Sequence, residues 1–377
     1  MAEKIDRIRA ASPWTEREER GETVEIDRDF LVDRLRDLSI EMQADAADQR
    51  ETLERALRLQ PGLERALLRE LELLALDLAP GLNLEELPST VEEYLEAGDL
   101  AGRVWRQYLL RVSQLALTRI LLYRSWEDVE FVDSYLYDGG FQQWYDRLGQ
   151  DLQRVLREAF AHGRERYHWL YGSDNNYDWY RPRDEALVDV LYALLPTPLG
   201  KLDADVLGGL YESYVDETDR DRLGQFYTPR AVVRFMLDRA GFDGPEAVFR
   251  IEGDRREPRR LLDFATGSGG FLVEAARRVV DLGGLDLTDR RDLDDGFAAI
   301  ARGLHGLEIS RSRTTSPRST CSSRYRACGA QCASLGSEAP PFVLGVAHAD
   351  SLSARQPPDR SLFLRSSFQT PSSRVIS

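Results

Sequence analysis

From about residue 28 to 205, apolar side chains recur at helical spacing. Leu53 and Leu57 form one group, and Leu63, Leu67, Leu68 and Leu71 form a second. Pro61-Gly62 separates the groups and Pro80-Gly81 ends the second, because proline removes a backbone donor and glycine loosens the chain. Residues 104–123 are the most apolar stretch. Trp105, Leu109, Val112, Leu115, Leu117, Ile120 and Leu121 cover more than one face there, which predicts a central core helix. A polar loop at 172–176 leads into Tyr177-Asp178-Trp179-Tyr180, whose rings either stack on bases or pack against the next helix; packing is the reading adopted. Pro196-Thr197-Pro198 breaks the chain ahead of a helix over 203–214.

From Gly224 onward the pattern changes to α/β. Residues 232–240 read as a helix and 261–265 as a short apolar strand. A glycine-rich turn follows, then a helix over 271–282. An acidic insertion at 286–295 precedes a second strand over 303–309. No internal repeat is evident. The expected organisation is a helical N-terminal domain over 1–203, an α/β domain over 204–310 and a tail over 311–377.

The segment Leu261-Leu262-Asp263-Phe264-Ala265-Thr266-Gly267-Ser268-Gly269-Gly270-Phe271-Leu272 has strand, loop and helix in the order that cradles a nucleotide. Glycines let backbone N–H groups approach a ligand, and the following helix N-terminus favours an anionic group. A nicotinamide-binding turn wants glycine where Leu272 stands, and a P-loop wants a lysine that is absent. A purely structural strand-to-helix turn remains the alternative for this segment taken alone.

Just upstream lies Gly224-Gln225-Phe226-Tyr227-Thr228-Pro229, followed by an amphipathic helix. Together the two segments resemble the N6-adenine DNA methyltransferase family of type I and type IIG-like restriction–modification systems. In that family G-Q-x-[YF]-T-P is motif X and D-P-x-x-G-S-G-G-F is motif I. Phe264 stands here in place of the motif I proline, and Leu210-Tyr211-Glu212 looks like the helix preceding motif X. The resemblance covers about residues 204–310.

The resemblance implies an incomplete Rossmann-like domain that binds S-adenosylmethionine. By its pattern Gly224, Gln225, Phe226, Tyr227, Thr228 and Pro229 line the methionine end of the cofactor. Asp263 holds the loop or the cofactor's ammonium, while Gly267, Ser268, Gly269 and Gly270 present backbone amides. Glu308, in His305-Gly306-Leu307-Glu308, accepts the ribose hydroxyls, with helix capping as its alternative. Asp350, in Gly345-Val346-Ala347-His348-Ala349-Asp350, resembles the acid that reads the adenine amine. His305 and His348 are read as structural. The implied partners are double-stranded DNA and a specificity or restriction subunit.

The pattern then fails at one place. Methylating adenine N6 is hard because its lone pair is delocalised into the ring. The family answers with N/D-P-P-Y/F, whose first side chain and a backbone carbonyl accept the amine hydrogens while the aromatic ring stacks on the flipped-out base. The near match here is Ala339-Pro340-Pro341-Phe342, whose alanine has no acceptor and which precedes the Asp350 segment rather than following it. No catalytic residue is therefore assigned.

Composition shifts at the same point. Residues 311–377 hold 15 serines against 10 in the preceding 310 residues, with 9 arginines and 3 acids. The tail is either a disordered basic extension or the product of a frameshift after Ser310. The codons of 311–325 can be regrouped, one nucleotide along, into a family-like amphipathic helix, so the frameshift is adopted. The frame is expected to recover near 341–352, where Phe342-Val343-Leu344-Gly345 reads as a strand. The reading is thus an adenine-specific DNA methyltransferase by family, inactive as this chain stands. A non-enzymatic cofactor- or partner-binding remnant is the alternative, and a protein or RNA methyltransferase a more distant one.

The formal net charge of −15 argues against a surface that coats nucleic acid generally, without excluding a local basic cleft. Only Lys4 and Lys201 are lysines. No run of eighteen apolar residues occurs and 1–20 is charged throughout, so neither a membrane span nor a secretory signal is expected, and a cytoplasmic location is. Cys321, Cys328 and Cys332 lack a nearby histidine and a fourth ligand, so no metal site is expected.

Overall fold

The computed structural model describes residues 1–10, 14, 20, 26–79, 81–129, 132–137, 140–166, 168–171, 176–201, 228–253, 255–266, 269–286, 288–308 and 345–348. Its N-terminal part is helical: α1 (Ala2–Arg9), α2 (Arg28–Ala47), α3 (Arg50–Leu59), α4 (Leu63–Leu78), α5 (Val91–Glu96), α6 (Asp99–Glu127), α7 (Gly140–Arg147), α8 (Leu152–Arg166), α9 (His168–Tyr171) and α10 (Asp184–Leu194). The helix expected over 203–214 lies outside the described residues.

The local causes are legible. Asp27 caps α2 by accepting from the Phe30 N–H at 3.1 Å. Leu31, Leu35, Leu38, Met42 and Ala46 then form one buried stripe at helical spacing. Thr90 and Glu93 build a capping box at the start of α5. Gly62, at φ +94°, sits between α3 and α4, where the sequence places Pro61-Gly62. The 29-residue α6 is the central helix, about 43 Å long. It packs against α2, α4, α5 and α8 and is buried on every face from Ile120 to Glu127.

Polar groups inside this bundle are paired both within a turn and across long sequence distances. Arg119 donates to the Leu170 carbonyl at 2.7 Å and to Asp178 at 2.6 Å. At the end of α6, buried Arg124 donates to Glu127 at 3.0 Å and Asp128 at 3.2 Å. Its guanidinium also lies 3.5 Å from the centre of the Tyr137 ring. Glu127 in turn accepts the Tyr135 and Leu136 N–H groups, and Asp128 accepts that of Gly200. One ionic node therefore ties two loops to the last turn of α6.

The second part has α11 (Arg230–Arg239), α12 (Pro245–Val248), β1 (Phe249–Glu252), β2 (Arg255–Pro258), β3 (Leu261–Asp263), α13 (Gly270–Leu282), α14 (Arg290–Ala298), β4 (Leu304–Glu308) and β5 (Gly345–His348). The antiparallel pair β1–β2 turns at Gly253, φ +61°, and was not visible in the apolar pattern. β3, β4 and β5 form a parallel sheet in the order β3-β4-β5, with Leu261 opposite Leu304, Asp263 opposite Gly306, and Glu308 opposite His348. The architecture is thus mostly helical with two small sheets. Two expectations shift. β3 stops at Asp263, two residues before the expected end, because Asp263 turns the chain there. The acidic stretch 286–295 is partly helical, with Asp289 capping α14 by accepting from Asp292 N–H. Of the late strand expected over 342–345, residues 342–344 lie outside the described residues, and β5 runs over Gly345–His348. No helix among the described residues is long and apolar enough to cross a membrane.

Candidate cofactor-binding site

The glycine turn begins where β3 ends. Asp263 accepts the Ala265 N–H at 3.1 Å through Oδ1, an Asx-type turn that bends the chain off the strand. Thr266 donates its N–H to the Leu307 carbonyl at 3.0 Å and its hydroxyl to the Asp263 carbonyl at 3.1 Å. Gly269 donates to the Thr266 carbonyl at 2.8 Å, which closes the turn. Gly269 has φ +94° and stands at the N-cap of α13, where no side chain caps the helix. A side chain at this position would be strained, and the first amides of α13 are left to other acceptors.

The neighbouring strand presses close against this turn. A Cβ at Gly306 would overlap the Thr266 hydroxyl and lie 2.9 Å from Leu272 Cδ1. Glycine at 306 therefore lets β4 carry its C-terminal end alongside the turn. The backbone of Glu308 is the last residue of that strand, one position after the carbonyl that Thr266 grips. His305 bonds through Nε2 to the Arg302 carbonyl at 2.9 Å, and burial lowers its pKa. It is tied to the backbone of its own turn.

The other half of the site comes through α11, whose N-cap is Pro229, again with no side-chain cap. Its placement follows from a set of ion pairs with α13. Arg230 and Arg234 lie 3.6 Å and 3.4 Å from the Glu274 carboxylate. Arg278 pairs with Asp238 at 2.6 Å and donates to the Arg234 and Phe242 carbonyls at 3.0 Å and 2.7 Å. Glu274 thus faces 230 and 234, while Arg278, one turn later, faces 234, 238 and 242, so the two helices run in the same direction.

Glu274 sits at the centre of this arrangement and is 3 % exposed. Burial alone would raise its pKa. Hydrogen bonding and charge from Arg277, with the charge of Arg234 and a bond from Arg278, instead bring it down to about 2.

Of the expected site residues, the structure describes Thr228, Pro229, Asp263, Gly269 and Gly270, and the backbone of Glu308. It sets the glycine turn beside the end of β4 and joins α11, which follows Pro229, to α13 through Glu274 and Arg278. Gly224, Gln225, Phe226, Tyr227, Gly267, Ser268 and Asp350 lie outside the described residues, as do Cys321, Cys328 and Cys332. Three contributors escape the motif reading: Thr266, Gly306 and Glu274. The signal for Gly306 is present, since a glycine inside a strand marks close backbone approach. No group of metal-ligating side chains occurs among the described residues.

Residues 202–312, which carry both glycine-bearing motifs, match the family described as N-6 DNA Methylase. No curated protein matches the chain. Among solved structures, the chain is similar to one titled "cryoEM structure DrdV-DNA complex", at 15% identity and a TM-score of 0.36, over 84% of this chain and 25% of that one. The chain thus spans about a quarter of the length of that solved protein.

Proposed function

We propose that residues 204–310 form the cofactor-binding part of a Rossmann-like domain that takes S-adenosylmethionine, between a helical domain over 1–203 and a tail over 311–377. The observation that carries this reading is the glycine turn, which leaves the C-terminal end of a strand in a parallel sheet and leads into the uncapped N-terminus of α13. Ligands of open parallel sheets sit at that edge. The residues present fit such a group, since Gly269 offers backbone without a side chain and both helix starts are uncapped.

When bound, the cofactor supplies an electrophilic methyl group. Gly224 to Pro229 line its methionine end, and Gly267 to Gly270 present amides to it. Asp263 serves the loop through Oδ1. Glu308 accepts the ribose hydroxyls and Asp350 the adenine amine. In the intact relative the acceptor is adenine N6 in double-stranded DNA, within a restriction–modification or phage-defence system that includes a specificity or restriction subunit.

Isothermal titration of S-adenosylmethionine tests the reading. Gly269→Val should abolish binding, and Glu308→Ala should weaken it by about 1–3 kcal/mol. Unchanged affinity in both variants removes the assignment.

A second reading is favoured by the absence of N/D-P-P-Y/F from the sequence: the chain binds cofactor but transfers no methyl group. The family match ends at residue 312, beside the composition break at 311. A frameshift after Ser310 accounts for both. Sequencing the locus across codon 310 decides it; no downstream frame encoding N/D-P-P-Y/F within about 300 residues would sink the frameshift.

A further inference from the structure

We infer that Glu274 is a positioning residue that sets cofactor affinity from outside the pocket, by locking the helix after motif X to the helix after motif I. The inference rests on the cofactor reading above. Neither motif contains Glu274, which lies one turn into α13 behind the glycine turn.

The case begins with cost. A buried carboxylate must be paid for with partners, or it takes up a proton. Glu274 keeps its charge because guanidiniums surround it from two helices. Arg277 bonds it through Nε at 3.0 Å and also through its terminal nitrogen, and Arg278 stands at 3.4 Å; both belong to α13. Arg230 and Arg234 approach from α11.

Packing alone would not set the axial register of two helices sharply, since apolar contacts are non-directional. The Glu274 and Arg278 contacts supply direction. Arg278 grips the Arg234 carbonyl inside α11 and the Phe242 carbonyl just past its end, and Glu274 draws in the first two turns. Sliding α11 by one turn, about 5.4 Å, would leave Glu274 only one of its two α11 arginines and would break the Arg278 bonds to the Arg234 and Phe242 carbonyls. It would also move Pro229, the end of motif X, relative to the glycine turn. A pocket built half from each segment would then lose its fit, and misplacement of about 1 Å already matters for bound geometry.

The roles of the arginines differ in a way that can be measured. Arg277 pairs with Glu274 within one helix, whereas Arg230 pairs with it between two. Titration of S-adenosylmethionine into Glu274→Gln and Arg230→Gln should show affinity lower by about tenfold, the usual size of a coupling between sites. Arg277→Gln, which leaves both α11 pairs in place, should lose less affinity than Arg230→Gln, and Arg230→Lys should restore the loss. Arg230 is partly exposed, so its variants keep the fold should Glu274→Gln fail to.

Amide hydrogen exchange gives a readout that needs no cofactor. Both Glu274→Gln and Arg230→Gln should speed exchange in the first turns of α11 and α13. If the unaltered chain binds no S-adenosylmethionine yet exchange speeds up, the clamp stands and the cofactor reading falls. Unchanged exchange in both variants overturns the clamp, as does equal affinity in every variant of a chain that binds.

Discussion

Trp179 donates its indole N–H to the hydroxyl of Tyr108 at 2.7 Å, joining the aromatic run that follows the polar loop to the central helix α6. The Tyr108 hydroxyl passes its own proton to the Asn176 carbonyl at 2.7 Å, and its ring stacks on Tyr177. Tyr180 is also buried and bonds the Met42 carbonyl. These rings are thus spent inside the bundle, the alternative favoured over base stacking. Burial also raises the Tyr108 pKa well above the ordinary phenol range, so its hydroxyl stays a donor.

Tyr108→Phe should therefore destabilise the helical part. It removes one hydroxyl, stranding the buried Trp179 N–H and leaving the part-buried Asn176 carbonyl without that donor. The expected loss is about 1–3 kcal/mol, read as a lower urea midpoint. A midpoint equal to that of the unaltered chain would show that water replaces the hydroxyl.

The node at the end of α6 should give the chain a pH-dependent stability. Burial raises the Glu127 pKa from 4.5 to about 7, against the opposing pull of Arg124 and of the Tyr135 and Leu136 N–H groups. Asp128, on the same turn, and the nearby Tyr123 hydroxyl add negative or polar neighbours, while Tyr137 covers Arg124. A carboxyl whose pKa is higher folded than unfolded holds a proton that the unfolded chain has lost. Its contribution is fully present below pH 4.5 and is lost as pH rises through 7, on the order of 3 kcal/mol. Glu127→Gln should flatten that part of the slope in urea unfolding measured from pH 5 to 8. Parallel curves for the two proteins would refute the assignment.

The helical part was legible because its signals are local. Leu53 and Leu57, then Leu63, Leu67, Leu68 and Leu71, repeat at helical spacing, and Pro61-Gly62 marks the break between their helices, whereas the Asp27 and Thr90 caps emerged only with the structure. The α/β elements were legible where apolar runs meet glycine, as at Leu261 and Gly269. The β1–β2 hairpin was not, since its alternation is confined to Phe249 and Ile251 of β1 and β2 reads Arg255-Arg256-Glu257-Pro258, so the pairing is set across the strands. Glu274 was equally silent. A glutamate on an amphipathic helix reads as a solvent-facing residue, and only the approach of α11 makes it a buried junction.

Gly306 offers a sharper test of the site's construction. Alanine there would press its methyl against Thr266 and Leu272, and the turn would have to move. Overpacking of this kind costs about 1–3 kcal/mol, and here the displaced atoms are those that close the glycine turn. Gly306→Ala should lower the melting temperature and weaken S-adenosylmethionine binding together. Gly244→Ala is the control, because nothing lies within 4 Å of a Cβ there. Equal behaviour of the two variants would mean that the turn relaxes freely.

The purified chain should not methylate DNA even if it binds the cofactor. Binding and chemistry are separable, since one rests on the glycine turn and its neighbours and the other on acceptors for the adenine amine. Ala339, at the head of the nearest match to N/D-P-P-Y/F, has no atom that accepts a hydrogen bond. Without an acceptor the N6 lone pair stays conjugated with the ring, and one such preorganised group is typically worth about 10²–10³ in rate. Phosphate contacts supply much of the affinity of proteins for DNA, and a chain with a net charge of −15 offers few of them outside a local cleft. The assay is transfer of labelled methyl from S-adenosylmethionine to unmethylated genomic DNA, beside an intact family member as positive control. N6-methyladenine above the no-protein blank would mean that another part of this chain supplies the acceptor, and the inactive reading would have to be abandoned.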